Sequence, residues 1–466
     1  MSITPETVKT VHTCFENFFE AQKAPGLVYA ITHNGSVVHS ACFGAQRVAP
    51  HELMTSASIS RIASMTKSFA AVAALKLRDA GLLDLNAPIS SISRSLNLCE
   101  PLASASLSDL MAMKLDLVTD DPWADRLLGA TNEEIDPHFS KPLLRAGLGS
   151  SRCAYSNLSY FLLGRIIAIV SGRPLIDYIS REITSPLGMH DTVWNPPEQL
   201  SSRMAMGYRA DSSPPADEER YTCRSDAAAF GGLWSTVSDL AVWLEFLRAG
   251  DGAPAEWESV LCTASRRQLS LPYASYDSRP FESAITGHPF DTSASYGFGV
   301  VRGTLAGMET LSHSGGIPGY GSHMRVEVRS GYGVVALGNC TYCPVWTPCA
   351  DSLLHVVSSL GHGQIVDAGL VVAIGRRLSD YILSGAATAP HELFSYNFWP
   401  DNPAQSLATS LRAVLAQLGD GIHVTRITCR SGYQGEISFA GALSERKIVF
   451  QLAPHAPARI QHVAWM

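Results

Sequence analysis

Arg61-Ile62-Ala63-Ser64-Met65-Thr66-Lys67-Ser68-Phe69 is the stretch on which the fold of this chain turns. It opens a run, 64–80, that is mostly apolar on every side, with Phe69, Val72, Leu75 and Leu77 set among alanines. Gly81 stands where a left-handed cap would end a helix. A helix that is apolar all round lies inside a protein rather than on its surface. Ser64 then falls on the first turn and Lys67 one turn later, and residues three apart share a helix face. The pattern predicts an ammonium held beside a hydroxyl deep in a core.

That pairing has a chemical use. A serine hydroxyl is a weak nucleophile until a neighbour takes its proton. A lysine does so only when its pKa falls, and burial lowers it. The helix N-terminus adds backbone N–H groups and partial positive charge, which suit an oxyanion. S-x-x-K alone is short enough to arise by chance, so the reading depends on the rest of the chain.

Upstream, residues 6–22 read as an amphipathic helix (Val8, Val11, Phe15, Phe18, Phe19). Gly26–His33 and Ser36–Phe43 read as two strands joined at Asn34-Gly35, a strong hairpin signal because both turn residues need positive φ. Downstream, 105–115 reads as a short helix. The acidic stretch Asp120-Asp121-Pro122-Trp123-Ala124-Asp125-Arg126 has two readings: a pocket lining, or a capped helix start with Trp123 on the core. Tyr155-Ser156-Asn157 precedes an apolar helix over Tyr160–Ser171. Asn157 reads as an N-cap and Tyr155 as a packing residue. If Tyr155 instead lies near Ser64, its phenol can share a proton with a lysine and protonate a leaving group. Asn157 can then offer an N–H to a substrate carbonyl and its oxygen to Lys67.

Residues 175–190 read as a helix, 199–224 as a polar excursion with Ser213-Pro214-Pro215, and Val237–Ala249 as an amphipathic helix. Residues 250–295 show no clear element, and strand character returns at Gly297–Val301. A third signal is Leu311-Ser312-His313-Ser314-Gly315-Gly316-Ile317-Pro318-Gly319-Tyr320-Gly321, followed by strands over Ser322–Val328 and Gly333–Leu337. Its glycines allow a close approach of backbone to a ligand. His313 and Ser314 fall on that strand, with the N–H of Gly316 able to face a site. Alone, His313 reads as a satisfied core histidine, and the glycines as turn chemistry.

Composition sets bounds. The 466 residues are 46% hydrophobic and 17% charged, a globular balance that allows two or three domains, or one large and one small. A net charge of −7 offers no basic patch for nucleic acid or an anionic membrane. No apolar run reaches the ~18 residues that span a bilayer. Met1-Ser2-Ile3-Thr4-Pro5-Glu6 has neither a basic start nor an apolar h-region; read as the native start, it predicts a cytoplasmic protein. The ten cysteines then read as free thiols. Cys340-x2-Cys343-x5-Cys349 lacks a fourth ligand at suitable spacing, so no metal is expected.

Taken in order, S-x-x-K, Y-x-N and a strand bearing a [K/H]-[T/S]-G triplet resemble the serine β-lactamase and penicillin-binding-protein family. The resemblance is greatest to its class C-like branch of class C β-lactamases, D-aminopeptidases, DD-peptidases, family VIII-type esterases and peptide cyclases. It covers residues 5–360 or so, with flanking matches at Pro186-Leu187-Gly188-Met189 and His313-Ser314-Gly315-Gly316. The resemblance implies an α/β (α+β) fold, an antiparallel sheet flanked by helices, joined to a helical subdomain. It makes Ser64 the nucleophile of a covalent acyl-enzyme, Lys67 the general base, Tyr155 the proton relay and Asn157 a substrate contact. His313, Ser314 and Gly315 stand at the substrate-binding third motif, and the N–H groups of Ser64 and Gly316 form the oxyanion hole. One departure counts: His313 replaces the lysine of β-lactamases and many carboxypeptidases, and a histidine is largely neutral near pH 7. Nothing resembles the extra glutamate motif of class A enzymes.

The expectation is a serine hydrolase or acyltransferase for an amide or ester in a small-molecule or peptide substrate, with no cofactor. A peptide-cyclising thioesterase, a β-lactamase and a non-catalytic binding member stand as alternatives. The hydrolase domain is expected over 1–362. Residues 363–466 read as a small α+β module: helices over Gln364–Ser384 and Pro403–Leu418, a linker over 385–390, then strands over Gly421–Arg430, Glu436–Ala440, Lys447–Leu452 and Arg459–Trp465, with a turn at Gly432. Two roles stand for it, a cover over the active-site mouth or a dimer surface.

Overall fold

The hairpin at Asn34-Gly35 forms. In the computed structural model both residues take a positive φ, 48° and 80°, the combination a two-residue turn between twisted strands requires. The structure describes residues 3–466 apart from 23, 94, 210–215, 218–220, 251–252, 279–280, 288, 361–367, 387–389, 432 and 455–456. Ser213-Pro214-Pro215, the helix start expected at Gln364, part of the linker over 385–390 and the turn at Gly432 therefore lie outside the described residues.

The turn joins β1 (Gly26–His33) to β2 (Ser36–Arg47). With β3 (Glu52–Leu53), β4 (Ala274–Tyr276), β5 (Thr292–Tyr296), β6 (Val301–Leu305), β7 (Met308–Ile317), β8 (Tyr320–Glu327) and β9 (Tyr332–Gly338) they make one sheet. Its order is β3-β2-β1-β9-β8-β7-β6-β5-β4. β1 lies between β2 and β9 and is antiparallel to both. β1 and β9 are buried along almost their whole length, as strands covered on both faces are. Val28 and Ala30 join one large core, while Tyr29 between them stacks on Phe15 of the helix α1 (Pro5–Gln22), ring centres 4.1 Å apart.

That large core contains α2 (Thr66–Asp79), α3 (Asn157–Ser171) and the inner face of α4 (Val237–Arg248). The chain from Thr66 to Leu75 is buried at every position, as an all-round apolar pattern predicts. Gly81 has φ 74° just past the helix. A fifth helix, α5 (Trp346–Ser359), packs on β8, β9 and α1. Among the described residues of 250–295, where no clear element was expected, are a helix at Thr263–Leu269, β4 and the start of β5. The strand expected at Gly297–Val301 forms instead as β6, because Gly297 and Phe298 are held against Leu269 and Gly299 against α2: a Cβ on Gly299 would stand 2.7 Å from the Lys67 carbonyl carbon.

The chain divides into two units. One is Met1–Ser278 with Ser293–Gly303 and Glu309–Leu360; the other is Arg279–Thr292 with Thr304–Met308 and Gly361–Met466. In the second, α6 (Ala368–Ser384) and α7 (Ala404–Ala416) precede β10 (His423–Ser431), β11 (Gln434–Ala440), β12 (Glu445–Leu452) and β13 (Ile460–Trp465). These strands form an antiparallel sheet in chain order. Val371, Ile374 and Leu378 of α6 share its core with Ile437, Phe439, Ile448 and Phe450. Among the described residues no single helix is long and apolar enough to cross a membrane.

Candidate active site

Ser64 lies in a single 3-10 turn, Ala63–Met65, that leads into α2. Ala63 before it has φ 47°, the left-handed region that costs a residue with a Cβ about 1–2 kcal/mol. The turn is held from two sides. The Ile62 N–H donates to the Leu233 carbonyl at 2.9 Å, and Ser322 Oγ donates to the Ile62 carbonyl at 2.8 Å. β7 crosses so close to this turn that a Cβ on Gly315 would overlap the Ile62 carbonyl oxygen and Ser322 Oγ. Gly315 thus holds the third motif against the turn that carries Ser64.

Lys67 has no exposed surface. Its Nζ donates to Ser64 Oγ at 3.0 Å, Asn157 Oδ1 at 2.6 Å and the Phe230 carbonyl at 2.9 Å, which accounts for all three ammonium protons. It also lies 4.9 Å from the centre of the Tyr155 ring. Burial lowers its pKa to about 8, against the charges of Asp121, Asp125 and Asp120, which raise it. An amine with that value is partly unprotonated near neutral pH, the state a general base needs.

Asn157 begins α3, and the acidic loop explains why. Asp120 accepts the N–H groups of Asn157 and Leu158, both at 2.8 Å, and the Ser156 hydroxyl at 3.2 Å. A carboxylate there satisfies the orphan donors and complements the helix dipole. The helix therefore starts three residues before the expected Tyr160. Asp121 accepts the Asn157 side-chain N–H through its Oδ1. Asp125 accepts the Tyr342 hydroxyl at 2.6 Å. Burial pushes Asp125 up to about 6, helped by Asp121 and opposed by the Tyr342 hydrogen bond. Of the two readings of the acidic loop the pocket lining is the one that fits: Asp121 and Asp125 face the site, Asp120 caps α3 rather than a helix of its own loop, and Trp123 is not packed on the core. Trp123 is half exposed beside His138 and lines a cavity of about 340 Å³ with Leu117, Leu143 and Leu144.

The Phe230 carbonyl arrives on a turn packed against α3. A Cβ on Gly164 would collide with the Asp226 carbonyl, so only glycine lets the turn in. Arg165 fixes that turn with bonds to Asp226 at 2.8 Å and Asp136 at 2.7 Å.

Tyr155 is hydrogen-bonded to Ser64, and burial raises its phenol well above the ordinary value. Its ring meets Tyr296 edge-on at 6.0 Å. Tyr296 in turn links to the third motif: its hydroxyl lies 3.2 Å from His313 Nε2, and His313 Nδ1 lies 2.6 Å from the Ser314 carbonyl. A carbonyl only accepts, so Nδ1 carries the proton and Nε2 accepts from Tyr296. Burial, and then the Lys67 charge, lower the imidazole pKa to about 3. His313 is neutral across the physiological range. Ser314 Oγ accepts from His323 Nδ1, 2.8 Å away on β8, because His323 Nε2 itself accepts from Arg325 Nε. Gly316 pairs with Gly321 and lies under the Tyr342 ring.

The structure thus joins Ser64, Lys67, Tyr155 and Asn157 in one hydrogen-bonded group. His313 is tied in through Tyr296, and Gly315 and Gly316 bring the backbone of β7 alongside. Sequence reasoning missed Asp121 and Asp125 as partners, the Phe230 carbonyl, Tyr296 and Tyr342. Only the acidic loop carried a signal for any of these. Among the described residues no group of three or more His, Cys, Asp or Glu side chains could hold a metal, and Cys340, Cys343 and Cys349 are buried free thiols.

The family model described as Beta-lactamase matches residues 11–354. This chain belongs to the beta-lactamase family. It is 24% identical over 347 residues to Protein flp of Staphylococcus aureus, covering 72% of this chain and 64% of that protein. It is 31% identical over 203 residues to the D-alanyl-D-alanine-carboxypeptidase/endopeptidase AmpH of Escherichia coli, covering 42% and 50%. To the unguisins hydrolase ungD of Aspergillus violaceofuscus it is 28% identical over 194 residues, covering 40% and 34%. The chain therefore spans between one third and two thirds of the length of these curated relatives. Among solved structures, an octameric penicillin-binding protein homologue from Pyrococcus abyssi superposes with a TM-score of 0.64 at 20% identity, covering 98% of this chain and 95% of that one. A class C beta-lactamase from Rhodobacter sphaeroides gives 0.58 at 18% identity, covering 75% and 99%. At such identities the likeness is one of fold: the β-lactamase/penicillin-binding-protein-like architecture, with a small C-terminal sheet domain.

Proposed function

We propose that this chain is a serine hydrolase or acyltransferase that cleaves an amide or ester through a covalent acyl-enzyme on Ser64. The observation that carries the reading is the Lys67 amine, fully buried and 3.0 Å from Ser64 Oγ. As the free amine, Lys67 takes the hydroxyl proton while Oγ bonds to the substrate carbonyl carbon. The resulting oxyanion rests on the backbone N–H groups of Ser64 and Gly316. Tyr155, kept protonated by its burial, gives its proton to the departing nitrogen or oxygen as that bond breaks, and regains one from the Lys67 ammonium. Water, or a substrate amine, then attacks the acyl group and returns the proton through the same residues. The hydrolase domain in this reading is 1–362, with 363–466 as a separate module.

His313 narrows the substrate. A neutral imidazole already bonded to Tyr296 and the Ser314 carbonyl gives the third motif no permanent charge for a substrate carboxylate. That favours esters, amides and amino-terminal peptide substrates over penicillins and carboxy-terminal peptides. The test is turnover of a short-chain nitrophenyl ester, a D-aminoacyl amide, a chromogenic cephalosporin and a peptidyl thioester by wild type and Ser64→Ala. Ester or amide turnover that vanishes in Ser64→Ala is expected. Cephalosporin turnover alone would make the protein a β-lactamase, and cyclic product from the thioester a cyclase. Binding without turnover of any would overturn the reading.

A further inference from the structure

We propose that Asp121 is a positioning residue of the reaction, holding the Asn157 carboxamide so that its oxygen, and not its NH2, faces the Lys67 amine. The proposal rests on the reading of Lys67 as the base of Ser64. A carboxamide has two nearly isosteric ends, one accepting and one donating. Here the acceptor end takes a proton from Lys67 Nζ and the donor end gives one to Asp121 Oδ1. Turned over, the NH2 would meet an ammonium and the oxygen a carboxylate, two like pairings in a site without exposed surface on Asn157 or Lys67. An ionised carboxylate accepts only, so Asp121 selects one orientation. Neither Ser64 nor the Phe230 carbonyl touches the amide to do so.

Asp121 also contributes charge. The groups facing Lys67 are Ser64 on its own turn, Asp120, Asp121 and Asp125 on the acidic loop, Tyr155 just before α3, Asn157 and Tyr160 in its first turn, the Phe230 carbonyl, and His313 on β7. Asp121 is the first among the charges that offset burial of the ammonium. Losing it therefore acts on Lys67 in one direction by both routes: less negative charge nearby, and an amide free to present its NH2. Each disfavours the ammonium.

The test is the rate of covalent labelling of Ser64 by a fluorophosphonate between pH 5 and 10, for wild type, Asp121→Asn and Asp121→Glu. Asparagine keeps the size but offers a donor as well as an acceptor; glutamate keeps the acceptor and the charge. For Asp121→Asn the acid limb is expected to move to lower pH by about one unit, and the plateau to fall by up to about tenfold, because a weaker base works less well. Asp121→Glu is expected to restore the limb toward wild type. A purely structural role would lower the labelled fraction and leave the limb in place, and that outcome overturns the proposal, as does an Asp121→Asn profile equal to wild type. No labelling of wild type on Ser64 overturns the underlying reading and this proposal with it, whereas labelling with an unmoved limb overturns this proposal alone.

Discussion

Replacing Gly315 by alanine tests whether the third motif is held against the nucleophile turn by backbone contact. A Cβ there stands 2.1 Å from the Ile62 carbonyl oxygen and 2.4 Å from Ser322 Oγ. A carbon and an oxygen settle near 3.2 Å or more, about 1 Å further apart than this overlap allows. The obstacle is backbone on one side and a hydroxyl bonded to the same carbonyl on the other, so neither can rotate away. Either β7 or the 62–64 turn must shift by about 1 Å. Overpacking of this kind costs about 1–3 kcal/mol, which lowers Tm by a few degrees in a unit of this length. The kinetic effect is larger, because a misplacement of about 1 Å at the reacting groups costs about 100-fold in rate. Gly316→Ala is the comparison. Its Cβ would meet only the edge of the Tyr342 ring, at 2.8 Å, and that ring is partly exposed and can give way at the cost of at most its hydrogen bond to Asp125. Thermal unfolding and fluorophosphonate labelling of both variants give the answer. Gly315→Ala with wild-type Tm and labelling rate would refute the backbone-contact argument.

Other outcomes follow from the same geometry. Labelling of Ser64 is expected to rise with pH and reach half its plateau near pH 8, where buried Lys67 loses its proton; a flat profile from pH 6 to 10 would exclude Lys67 as the base. Folded His313 takes up a proton at about pH 3 and the unfolded chain at 6.5, so between those values the unfolded state binds more protons and stability falls as pH falls. His313→Gln is expected to flatten that acid slope in denaturant titrations, and an unchanged slope would show that the imidazole is not held neutral. Tyr155→Phe is expected to lose about 10²–10⁴-fold in kcat on an amide with an unchanged Tm, and wild-type kcat would remove the phenol from the proton path.

What could be read in the sequence was what side-chain identity alone encodes. Asn34-Gly35 required positive φ twice and formed its turn. The mostly apolar run after Ser64 gave a buried helix, and the strand-like runs Glu436–Ala440 and Lys447–Leu452 gave strands of the second unit. Ser64 and Lys67 were visible as a pair with a chemical use, and Tyr155 and Asn157 joined them through the resemblance of the three motifs, in order, to the family. The remainder depends on contacts between distant segments. The Phe230 ligand to Lys67 is a main-chain carbonyl, which no residue type announces. Tyr296 and Tyr342 are ordinary aromatics until β5 and the turn after β9 bring them to His313 and Asp125. The neutrality of His313 depends on its burial beside Lys67. Ala63 gives no hint of its left-handed φ, which follows from the crowding of β7 and Leu233 around one turn. Residues 250–295 resisted reading because β4 and β5 are short and polar, so periodicity has too few residues to show.

The proposed chemistry of the site depends on Ser64 as a nucleophile served by Lys67. Intact-protein mass spectrometry after brief fluorophosphonate exposure, followed by peptide mapping, tests it most directly. One phosphonyl increment on wild type, mapped to Ser64 and absent from Ser64→Ala, with labelling at least 100-fold slower in a folded Lys67→Ala, is the predicted result, as expected when a serine loses its base. No increment on folded wild type, or an increment that maps to another residue and persists in Ser64→Ala, would contradict it.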